Sequence, residues 1–184
     1  MSMHKPNERS ALEEADEIAA TIDIEPLLAR FQVDGLTKAN LAKFVPILTK
    51  DIDKYATRFY EFIRYFPELR AILADHDIAK LRLAQTSYWA RLFKCQFDLA
   101  YVRSSVLIGV VHRRIGLPPS LYLAGYSFFQ NELYRTVGTA LKPLDFVALS
   151  ISINKVIALD VAIALHAFHD RQRTKDFHST FTLI

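Results

Sequence analysis

Cysteine is almost missing from this chain: Cys95 stands alone among 184 residues, so no internal disulfide framework can form. Glycine is scarce as well, at 5, while hydrophobic residues make up 51%, a balance that excludes a loop-rich fold and favours regular structure around a sizeable core. No run of Lys and Arg reaches nucleic-acid length, and the net charge of +3 is spread among 20 acids, so no nucleic-acid partner is expected. The first twenty residues lack the apolar core of a signal peptide. Asp145, Lys155 and Asp160 interrupt the most apolar C-terminal stretch, so no membrane span is expected and a cytoplasmic location follows. The length suits one domain and is short for two.

What is present is helical throughout, because no stretch alternates as a strand would. Ser10 with Glu13 forms a capping-box pattern opening a short N-terminal helix, and a second short piece spans Ile24 to Phe31 and ends near Gly35. Thr37 is expected to cap the next helix, and Pro46 to begin another that runs to about Tyr65 before Phe66 and Pro67. That helix buries Ile52, Ala56, Phe59 and Ile63, with Tyr60 at the edge of the stripe. A short helix or turn over Glu68 to Leu73 leads to Asp77, which caps a helix over Ile78 to Lys94 with Leu81, Ala84 or Gln85, Tyr88 and Leu92 inward. Asp98 caps the next, Pro119 opens one to Val137, and Pro143 opens a last long one to at least Phe168. This last segment is apolar on nearly every face, including Ile151, Val156, Ile163 and Phe168, more than one side of a single domain can cover.

His112 stands at the end of the apolar stretch Leu99 to Val111, one turn before Gly116 and shortly before Pro118 and Pro119. A helix end leaves carbonyls without intrahelical partners. One ring nitrogen of His112 can therefore be fixed by a carbonyl such as that of Ile108, leaving the other as a free base for a metal. Spacing alone serves a hydrogen-bonded core histidine more often than a ligand, since one histidine satisfies no multi-ligand pattern. His76 lies in a helix-initiating turn, His166 and His169 share a helix face, and His4 and His178 lie in terminal segments; none is assigned to a metal.

Three runs together resemble the sensor domain of globin-coupled sensors: RFYEFI at 58 to 63, LRLAQTSYWARLF at 81 to 93 and IGVVHRRIGLPPSLYLAGY at 108 to 126. The resemblance covers roughly residues 25 to 170 and implies an all-α globin fold. That fold is a three-on-three helical sandwich with an extra N-terminal helix in residues 1–24 and no clear D helix, followed by a polar tail or linker over 171–184. It implies His112 as the proximal ligand of b-type haem, held without covalent attachment since no CxxCH occurs, with the sixth iron position open to oxygen, carbon monoxide or nitric oxide. It places Tyr60 on the distal side as a hydrogen-bond donor. Leu81, Ala84, Gln85 and Tyr88 then line the cofactor, Leu81 as the steric wall. Where some relatives carry a hydroxyl residue three positions after that leucine, this chain has Ala84, so a second donor requires Gln85 to turn inward; the sequence allows either orientation. The resemblance further implies a homodimer and a signalling output, fused or separate, such as a diguanylate cyclase, and no enzymatic activity in the sensor itself. Two other functions compete: a haem-free helical signalling scaffold, and a haem enzyme, against which the lack of a histidine between His76 and His112 argues.

Overall fold

Short acidic and hydroxyl side chains open most of the helices. The computed structural model describes residues 10–176, with side chains to Phe168. Ser10 and Glu13 form the reciprocal capping box of α1 (Ala11–Ala20), and Asp23 caps α2 (Ile24–Arg30). α3 (Gly35–Lys50) starts earlier than the sequence suggested. Asp34, not Thr37, is its cap: the Asp34 carboxylate accepts from the Thr37 amide at 2.8 Å and from the Thr37 hydroxyl at 2.7 Å.

Pro46 does not open a helix but lies inside α3, and the break falls at Asp51, before α4 (Ile52–Ile63). Pro46 and Ala42, the residue whose carbonyl the missing N–H would have met, are both exposed. Water can serve that carbonyl, so the proline is tolerated where a buried one would break the helix. The expected inner face of α4 holds at Ile52, Ala56 and Ile63, which are buried together with Tyr55, while Phe59 is only half-buried against the core. Pro67 takes the first position of α5 (Pro67–Leu73), Asp77 caps α6 (Ile78–Leu92), and Asp98 caps α7 (Leu99–Arg114) through the Tyr101 amide. α8 (Pro119–Ala140) and α9 (Pro143–Asp176) complete the described chain, with no strand among the described residues.

The helices pack in two layers. α3, α6 and α7 lie across α4, α8 and α9: α6 rests on α4, α7 and α3 on α9, and α8 on both α4 and α9. α1 is an addition that lies along α7. α6 and α7, consecutive in sequence, are thus held by different neighbours.

α9 is the central helix, and its burial corrects one expectation. Val156 and Ile163 are covered by this chain's own core, so a second subunit is not needed to bury them. The apolar residues left exposed form a narrower stripe, Leu144, Val147 and Ile151, which recurs at heptad-like spacing. By length and composition Pro143–Phe168 could cross a membrane. Here it is packed against α3, α7 and α8. It runs unbroken past position 170 to Asp176. The rest of that tail, with His178, and the segment with His4 lie outside the described residues.

Candidate functional site

The end of α7 is shaped by a Schellman turn. Gly116 has φ +75°, a conformation other residues enter at a cost, and the amides of Gly116 and Leu117 return to the carbonyls of Arg113 and His112, each at 3.0 Å. This stops the helix one turn beyond His112 and fixes its backbone. The Nδ1 atom of His112 lies 2.7 Å from the carbonyl oxygen of Ile108, the partner expected from the sequence. A carbonyl can only accept, so Nδ1 carries the hydrogen and Nε2 keeps its lone pair. Burial pushes the imidazole pKa below its ordinary value and outweighs the carbonyl's opposite pull, so the ring stays neutral. Tyr122 of α8 backs it, ring centroids 5.2 Å apart.

α7 is set against α9 by its small residues. A Cβ at Gly109 would collide with the Ala164 carbonyl and come within 3.0 Å of the Ala167 Cβ, so only glycine permits this approach. Arg113 donates to the Ala167 carbonyl at 2.6 Å, and both Arg113 and Arg114 bind Glu14 of α1, the latter at 2.7 Å. Burial alone would raise the Glu14 carboxyl, but hydrogen bonds from Arg114 and Arg113 prevail and hold it below the usual range. Nothing in the local sequence announced this clamp, whose partners are 99 and 100 residues apart.

On α4, Tyr60 is half-buried beside Phe59, ring centroids 5.4 Å apart, and its phenol has no hydrogen-bond partner among the described residues. Desolvation pushes its pKa up to about 12, so it stays a protonated donor. On α6, Leu81, Ala84, Gln85 and Tyr88 fall on one face by their spacing of three and four. Leu81 and Gln85 are half-buried and Ala84 is exposed. The Gln85 amide oxygen is buried without a partner, which answers the question of orientation: the side chain turns inward. Tyr88 is buried and donates at 2.5 Å to Asp160 of α9, a residue the sequence had marked only as an interruption of an apolar run. A groove of about 630 Å³ runs between the end of α6 and the start of α7, lined by Arg91, Leu99, Ala100, Arg103, Ser104 and Leu107, and includes none of the expected site residues. Among the described residues no group of three or more His, Cys, Asp or Glu side chains could hold a metal ion, and His166 is exposed.

This architecture has counterparts among known proteins. The chain superposes on the globin domain of the Geobacter sulfurreducens globin-coupled sensor with a TM-score of 0.75 at 16% identity, covering 82% of this chain and 100% of that one. The ferric globin domain of Escherichia coli DosC gives a TM-score of 0.63 at 18% identity, covering 85% and 99%. In sequence it is 24% identical over 150 residues to the heme-based aerotactic transducer HemAT of Halobacterium salinarum; the match covers 75% of this chain but only 31% of that protein. The family model for Protoglobin matches residues 23–174. The chain therefore belongs to the Protoglobin family and carries the globin fold of globin-coupled sensors.

Proposed function

We propose that this globin is a haem-based gas sensor domain that binds oxygen, carbon monoxide or nitric oxide and passes its ligation state through a homodimer to an output such as a diguanylate cyclase, fused or separate. The observation that carries the reading is the His112 ring: its Nδ1 is tied to Ile108 at 2.7 Å, it is half-buried and desolvated enough to stay neutral, and Nε2 is left as a base. The other residues fit the same group. The inward Gln85 amide, whose buried oxygen lacks a partner, is costly in a finished core. Turned to present its NH2 group it would donate, as the Tyr60 phenol does, to a ligand that gains negative charge. His112 would hold b-type haem, with Leu81, Ala84, Gln85 and Tyr88 lining it from α6 and Tyr60 from α4. When bound, the haem iron supplies a coordination position for a diatomic gas.

Tyr60 offers its proton to a partner that gains negative charge, and the apolar Leu81 excludes bulk from the same space. Neither the α6 face nor Tyr60 supplies the acid-base pair that peroxide cleavage requires, which supports a sensor over an enzyme. The heme-based transducer relative supports the same class, and its greater length leaves room for an output. α7 can transmit because Gly109 seats it directly on α9, the helix whose exposed stripe of Leu144, Val147 and Ile151 would pair with α8 and their symmetry mates in a four-helix bundle. A Soret band in the purified protein is the first test. His112→Ala is expected to abolish normal haem retention or the five-coordinate ferrous spectrum, and an unchanged spectrum would remove His112 as the ligand. A protein that takes up no haem would instead be a helical signalling scaffold.

A further inference from the structure

Asp160 lies wholly buried in the middle of α9. Its Oδ1 accepts from the hydroxyls of Tyr88 at 2.5 Å, Tyr101 at 2.8 Å and Ser105 at 3.1 Å, and its Oδ2 from Tyr126 at 2.7 Å. No basic side chain forms an ion pair with it among the described residues. A carboxyl group in the interior without a counter-ion is expensive, and an apolar residue would fill the same volume more cheaply. Four donors from three helices offset that cost, and the identity of those donors shows what the carboxyl joins.

Tyr88 sits one turn beyond Gln85 on the same face of α6. Tyr101 and Ser105 share a face of α7 with Ile108 and His112, at successive spacings of four, three and four residues. Tyr126 of α8 is 3.0 Å from the Tyr122 hydroxyl, and the Tyr122 ring backs the His112 imidazole. Because α6 and α7 rest on different neighbours, this single carboxyl forms a polar tie between the wall carrying Gln85, the wall carrying His112 and the aromatic support behind His112.

We propose that Asp160 is a positioning residue for the gas-binding site, fixing α6 against α7 through Tyr88 and the pose of the His112 ring through Tyr126 and Tyr122. The proposal rests on the reading that His112 holds haem, so the experiment separates the two. Wild type, Asp160→Asn, Tyr88→Phe and Tyr126→Phe are loaded with haem, checked for the Soret band and thermal midpoint, and compared by gas dissociation kinetics and by the iron–histidine stretching band of the ferrous protein. Tyr88→Phe should change oxygen and carbon monoxide dissociation several-fold and leave the iron–histidine band in place. Tyr126→Phe should shift that band, and Asp160→Asn should do both. If Asp160→Asn does not fold, the two tyrosine variants carry the test. Lowered midpoints with wild-type rates and an unmoved band would make the cluster purely structural and overturn the proposal. A wild type without a Soret band would overturn the haem reading itself, and this proposal with it.

Discussion

At the scale of single residues, the site is defined by polar groups left waiting. Tyr60 presents a desolvated phenol with no partner among the described residues, and a hydrogen bond from it to a partly charged acceptor is worth roughly 1–2 kcal/mol. Tyr60→Phe is therefore expected to speed oxygen dissociation by about tenfold and carbon monoxide dissociation by less, read by stopped-flow or flash photolysis. Equal effects on both gases would assign Tyr60 a steric role. Glu14 makes a second prediction. Its folded pKa lies below the ordinary 4.5, so the unfolded chain binds its proton first. The clamp on Arg113 and Arg114 thus stabilises the fold fully above that value and is lost as pH falls through and below it. Acid titration of thermal midpoints should show this loss in the wild type, and a shallower dependence in Glu14→Gln.

At the scale of elements, the seating of α7 on α9 is the most demanding contact. Gly109→Ala is expected to cost about 1–3 kcal/mol by overpacking, since the Ala164 backbone cannot rotate away as a side chain would. Chemical denaturation would measure it, and a neutral or stabilising result would show that the two helices can part freely. The helices themselves were largely legible in the sequence because their signals are local: Ser10, Asp77 and Asp98 as caps, Pro67 and Pro119 at first turns, and Gly116 as the stop after His112. Thr37 misled because Asp34, three residues earlier, makes the stronger cap and uses Thr37 as its donor. Pro46 misled because its cost depends on whether the deprived carbonyl meets water, which the fold decides. Asp160 and Glu14 were illegible as hubs because their partners lie 34 to 100 residues away. A lone acid inside the apolar run Val156 to Phe168 was the available signal, and its meaning depended on which tyrosines the fold brought to it.

For the whole molecule, the exposed apolar stripe of α9 sets the expected assembly. Ile151 is 51% exposed, whereas Ile163 is 1% exposed, so a charge at the first probes an interface and a charge at the second would wreck the core. Ile151→Glu is expected to shift the protein from dimer to monomer in sedimentation equilibrium at micromolar concentration while leaving its helicity intact. A wild type that is already monomeric, or a variant that stays dimeric, would overturn the proposed dimer through this stripe.

Cys95, at the corner between α6 and α7, has φ 53° and a buried thiol whose pKa desolvation pushes up to about 11. As the chain's only thiol it doubles as a chemical clock. At pH 8 a group with that pKa is ionised about one part in a thousand, against about one in four for an ordinary cysteine, so labelling reagents act almost wholly on molecules whose corner has opened. The labelling rate then reads the free energy of that local opening, and on the proposed reading comparing it with and without bound gas measures how far ligation tightens the corner between α6 and α7.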